Sequence, residues 1–165
     1  MRYVVLGVID GLISAGTLSA SLIFRGSSVD VGLAISIAVV VSSISALTVF
    51  VAEYSQQMSE MREAIYKLSL REVVARWTLL YLRALYTTVK SALLNFLASF
   101  TGAVAVLIPA AFTTQAVMPS IVAVLLATGL FVAGRRWLDL LEFFIMVGAA
   151  VAVGIAVGLA FPIIV

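Results

Sequence analysis

Apolar residues run along this chain in long blocks, and the polar positions gather between them. Residues 4–24 are mostly Val, Leu, Ile, Ala and Gly, with Asp10 the one charged position. Residues 31–52 form a second block, rich in Val, Ile and Ser, which closes on Glu53 and Tyr54. Three more blocks cover 91–112, 120–134 and 138–162. About 20 apolar residues are what a helix needs to cross a ~30 Å hydrocarbon core. The pattern therefore predicts an all-α integral membrane protein, a single domain over 1–165 with five transmembrane helices. The fourth block is the shortest and needs Arg135 and Arg136 to snorkel. Between the second and third blocks, residues 55–90 change character. They hold Arg62, Lys67, Arg71, Arg76, Arg83 and Lys90 among Glu60, Glu63 and Glu72, with Met61, Ile65 and Leu68 at helical spacing. This predicts a short amphipathic cytoplasmic helical insert, as one or two helices lying against a membrane face or each other.

Inside the first block the polar positions are ordered. Ser14, Thr17 and Ser21 follow Asp10 at i+4, i+7 and i+11, one face of a helix. A carboxylate inside a membrane helix costs roughly 2.5–3.5 kcal/mol on insertion scales and marks a functional position by default. A polar line on an apolar helix turns toward a pore or a neighbouring helix rather than toward lipid. The plainer reading is that the hydroxyls bond back to their own helix and the acid serves a neighbour. Gly7 and Gly11 bracket Asp10 at the small-xxx-small spacing that lets helices approach closely, and Gly154 and Gly158 repeat it near the end of the chain.

Composition narrows the chemistry. Hydrophobic residues make up 64% of the chain, against the 45–50% usual in soluble domains. With no Cys and no His, thiolate and imidazole metal sites and His proton relays are excluded, and no nucleophile stands with a base, so an enzyme is not expected. Any cation would be held by oxygen ligands or Met thioethers. The net charge of +2 gives no reason to expect nucleic acid. Its distribution fixes an orientation: with five spans, one side carries Arg2, the basic residues of 62–90, Arg135 and Arg136, and the other only Arg25. The positive-inside rule then puts the N-terminus in the cytoplasm and the C-terminus outside.

With that topology Asp10, Glu53, Asn95 and Glu142 all fall in the cytoplasmic half of the bilayer, where one cavity could receive them. Ser45 shares a face with Glu53, Ser99 with Asn95, and Met146 with Glu142. For Glu142 the alternative is pairing with Arg135 or Arg136 at the boundary, and for Asn95 it is a single interhelical hydrogen bond worth about 1 kcal/mol.

These residues carry a resemblance. The run Val5-Leu6-Gly7-Val8-Ile9-Asp10-Gly11-Leu12-Ile13-Ser14 resembles the first-span signature of the vacuolar iron transporter family. Ser45 to Ser55, closing on Ala52-Glu53-Tyr54, resembles the end of that family's second span, and Lys90 to Pro109 is similar to its third. The resemblance implies a homodimer in the lipid bilayer that exports ferrous iron or manganese against protons, with no resident cofactor. By position, Asp10 would be the pore carboxylate and Glu53 the acid at the end of the second span. The helix faces and depths read above make Ser14, Thr17, Ser45, Asn95, Glu142 and Met146 candidates to line the path, and the nearest candidates for the family's cytoplasmic metal collectors are Met58, Glu60, Met61, Glu63 and Glu72. The chain departs from the family at Val49, where a pore Met is common, at Ile9, where Asn or Ser is common, and in its basic insert. Those departures leave a second reading, a non-transporting membrane scaffold whose basic insert binds lipid or a partner.

Overall fold

The computed structural model describes residues 2–24, 30–69, 79–113, 117–133 and 137–160. These form five helices and no strand: α1 (Arg2–Phe24), α2 (Val31–Ser69), α3 (Leu79–Phe112), α4 (Val117–Ala133) and α5 (Trp137–Ala160). Three of them, α1, α2 and α3, are long and apolar enough to cross a membrane, and shorter apolar helical stretches cover Pro119–Phe131 and Leu141–Gly154. Large apolar side chains cover the outside of the bundle, among them Leu33, Val40, Ile44, Leu47 and Val51 of α2 and Leu93 and Leu97 of α3. Such a surface is suited to lipid rather than water.

Two boundaries differ from the hydrophobic pattern. Glu53 does not end a helix, because α2 continues to Ser69, and α3 begins at Leu79 rather than near residue 91. Where described, the insert is helical but continuous with the spans. At ~1.5 Å per residue, the 39 residues of α2 reach about 58 Å, nearly twice a hydrocarbon core. The reason is local. Residues 53–69 hold Glu, Gln, Met, Arg, Ala, Lys and Leu with neither Gly nor Pro, so polarity changes while helix propensity does not. The amide of Gln56 donates to Glu60 one turn on, at 2.9 Å. The hydroxyls of Tyr54 and Tyr81 lie 3.4 Å apart, joining the extensions of α2 and α3. Residues 70–78, with Glu72, lie outside the described part.

Helix ends follow capping rules. Asp30 precedes α2 and accepts the Gly32 N–H on Oδ2 at 3.2 Å, while its carbonyl takes Ala34 N–H at 2.9 Å. Pro109 lies one turn before the end of α3 and does not stop it, since the Thr113 N–H donates to the Pro109 carbonyl at 3.0 Å.

α1 is the hub. It packs most extensively on α3, then on α5, and touches α2 and α4 lightly, while α2 rests mainly on α3. The α1–α3 seam is close enough to bring backbones together. A Cβ at Gly7 would stand 2.6 Å from the Asn95 carbonyl oxygen, one at Gly102 2.6 Å from the Val8 carbonyl oxygen, and one at Gly11 would overlap the carbonyl of Ser99. The small-residue spacing around Asp10 thus marks the α3 contact. One part of the interior is apolar: Leu12 and Ala15 meet Ala103, Val106, Leu107, Ile121, Leu125, Val147 and Val151. Elsewhere Thr88, Ser91, Asn95 and Ser99 form a buried polar line along α3.

Candidate functional site

Because α1 and α2 both lean on α3 and only lightly on each other, a groove remains between them. It holds about 380 Å³, is open along its outer side, where Leu6, Ile44 and Thr48 are exposed, and is lined by Leu6, Asp10 and Ser14 from α1 and by Val41, Ile44, Ser45, Thr48 and Val49 from α2. Each wall follows helical periodicity, at i, i+4 and i+8 on α1 and at i, i+4 and i+8 from Val41 to Val49 on α2. Asp10 is half-buried in this groove and has no hydrogen-bond or ion-pair partner among the described residues. Ser14 is likewise unbonded among them.

Ser45 differs from its neighbours. Ser42 and Ser43 turn their hydroxyls back to the carbonyls of Ala38 and Val39, at 2.6 and 2.8 Å, and Thr48 does the same to Ile44 at 3.0 Å. Ser45 instead accepts the side-chain N–H of Asn95 at 2.7 Å. Its own proton is then free to point into the groove. Asn95 is wholly buried behind it. The groove therefore offers one carboxylate, two uncommitted hydroxyls and the Thr48 hydroxyl, which is turned back to its own helix, on an otherwise apolar wall.

The expected site residues are brought together only in part. Asp10, Ser14 and Ser45 share the groove, with Asn95 directly behind. Thr17 faces α5 instead: its hydroxyl donates to Ile13 at 2.8 Å and lies 2.5 Å from where a Cβ on Gly154 would be. Glu142 and Met146 are exposed on the outer side of α5, because Val147, Val151 and Gly154 form the face that packs inward. They do not line the groove.

Glu53 lies one turn beyond Val49 on the same wall of α2 and is buried. The Tyr3 hydroxyl donates to its Oε2, and Gln57 Nε2 donates to its Oε1 at 3.1 Å. The Arg2 guanidinium stands 3.8 Å from Oε2, donates to the Tyr3 hydroxyl at 2.7 Å and covers the Tyr3 ring at 4.9 Å. Tyr3 precedes Asp10 by seven residues, two turns or roughly 10 Å of helix. That i−7 spacing, which sets Tyr3 on the Asp10 face, was the signal available for it in the sequence.

Further along α2, Glu60 and Glu63 are exposed and Met58 and Met61 half-buried. Among the described residues, no three Asp, Glu, His or Cys side chains gather where they could hold a metal ion. Glu72 lies outside them. Compared with known proteins, the chain matches no family model, no curated protein and no solved structure.

Proposed function

We propose that this chain is a multi-pass membrane transporter that moves divalent iron or manganese out of the cytoplasm in exchange for protons, working as a homodimer. The observation that carries the reading is Asp10: a carboxylate without a partner among the described residues, in a groove between two membrane-length helices. An acid that served packing would be paired, since leaving a charge unpaired at depth is costly. The Asp10 carboxylate is an oxygen ligand of the hard class that divalent cations accept, and Ser14 and Ser45 add two more oxygen donors. One carboxylate per chain is few for a divalent ion, so two copies facing each other across the groove would supply the pair. The resemblance of residues 5–14, 45–55 and 90–109 to the vacuolar iron transporters supports the same reading. The excess of Arg and Lys supports a cytoplasmic N-terminus and, with five spans, an external C-terminus.

The scaffold reading draws on a different residue. Glu53 has both oxygens engaged by Tyr3 and Gln57, as a structural acid would. Uptake of Fe²⁺ or Mn²⁺ into liposomes by the purified protein, with and without a pH gradient, separates the two. Gradient-dependent uptake that Asp10→Asn abolishes supports transport. Absence of uptake by folded, dimeric protein supports the scaffold.

A further inference from the structure

We infer that Tyr3 and Glu53 form a latch that closes the end of the Asp10 groove nearest the N-terminus, and that the groove opens to water on that side when the latch parts. The inference rests on the transport reading for its purpose, though not for its geometry. On α1 the groove wall is Leu6, Asp10 and Ser14, and Tyr3 is the preceding position on that face. On α2 the wall runs Val41, Ser45 and Val49, and Glu53 is the following position. The two residues that extend the walls by one turn are hydrogen-bonded to each other across the gap.

Three features make the pair a latch rather than ordinary packing. Among the described residues, the polar links between α1 and α2 are those that Tyr3 and Arg2 make to Glu53. The two helices otherwise touch lightly and are each carried by α3, so parting at this end leaves the α1–α3 and α2–α3 seams intact. The Arg2 side chain, 72% exposed against 9% for Glu53, sits on the outer side of the pair and over the Tyr3 ring. Water and ions approaching from the N-terminal face therefore meet Arg2 first, then the Tyr3–Glu53 bond, and Asp10 two turns beyond.

The chain has no cysteine, so access can be read with one introduced thiol. Ser14→Cys places it on the groove wall, at a hydroxyl with no bond to lose. Its rate of modification by a membrane-impermeant maleimide is measured from the N-terminal face in vesicles of known sidedness. Tyr3→Phe keeps the ring and removes the donor. It is expected to raise the rate about tenfold, the population shift that loss of one hydrogen bond to a charged group produces. Glu53→Leu, which also removes the Arg2 contact, is expected to raise the rate at least as much, and the double variant no more than Glu53→Leu alone, because Tyr3 acts through Glu53. An unchanged rate in Tyr3→Phe overturns the latch, as do additive effects of the two substitutions. Ser42→Cys, wholly buried on α2 away from the groove, is the control. An equal rise there means the bundle has loosened generally and also overturns the proposal. The readout needs no transported ion, so failure of the latch and failure of the transport reading are separate results.

Discussion

The side-chain amide of Asn95 donates to the Ser45 hydroxyl at 2.7 Å across the α2–α3 interface, and both residues are buried. This bond does two things. It ties the groove wall on α2 to the helix that also carries α1, and it leaves the Ser45 proton uncommitted, where Ser42 and Ser43 have turned theirs back to their own helix. The cost is visible on the other side of the amide, where Asn95 Oδ1 is buried without a hydrogen-bond partner against Gly7.

Asn95→Ala is expected to destabilise the protein by about 1–2 kcal/mol, from an intramembrane hydrogen bond of roughly 0.6–1.7 kcal/mol and a small cavity. Ser45→Ala should cost less, since it creates little cavity. In a double-mutant cycle by denaturant titration in detergent, the coupling between the two should be about 0.6–1.7 kcal/mol. Coupling near zero would show that the bond does not hold α2 to α3.

Gly11 and Gly148 are expected to respond in opposite ways to Ala. A Cβ at Gly11 meets the Ser99 carbonyl and stands 3.0 Å from the Ala103 nitrogen, both backbone atoms that have no rotamer to yield. Overpacking of this kind costs about 1–3 kcal/mol or more, and it falls on the most extensive seam of the bundle. A Cβ at Gly148 meets nothing within 4 Å, so Gly148→Ala should be neutral or slightly stabilising through helix propensity. Thermal unfolding followed by size-exclusion recovery would rank the two.

Helical periodicity made part of the polar face of the first block legible: Asp10 and Ser14 do share the groove, whereas Thr17 turns to α5, and the Gly7–Gly11 spacing does mark a close helix contact. Periodicity says which residues share a face but not which face turns inward. Glu142 and Met146 were placed together correctly on α5 and still point outward. Helix ends were legible where a residue acts on the backbone, as Asp30 does, and not where only polarity changes, as after Glu53. Tyr3 was missed because its partner is 50 positions away in the chain, and a Tyr near the start of a membrane helix is an ordinary interfacial residue.

Asp30→Ala should cost about 0.5–2 kcal/mol, the usual range for loss of an N-cap. The Asp30 carboxylate holds the Gly32 N–H at 3.2 Å, and Ala offers no acceptor in its place. Asp30→Asn keeps an acceptor oxygen and should restore most of the loss. Because Asp30 is exposed and lies at the start of α2, away from the groove, neither change should alter cation uptake in liposomes.

Two acids of the membrane region, Asp10 and Glu53, are expected to separate function from stability. Asp10 has no partner to strand, so Asp10→Asn removes a charge whose insertion costs roughly 2.5–3.5 kcal/mol and loses no contact. Its unfolding midpoint should stay level or rise while gradient-driven Fe²⁺ or Mn²⁺ uptake disappears. Glu53 is the reverse case. It accepts from Tyr3 and Gln57, and Glu53→Leu leaves both donors without their acceptor, a loss of about 1–3 kcal/mol. Denaturant titration of both variants beside wild type measures the contrast. A fall in stability in Asp10→Asn as large as in Glu53→Leu would mean that Asp10 holds the bundle together. Asp10 would then be a structural acid and no part of a cation path.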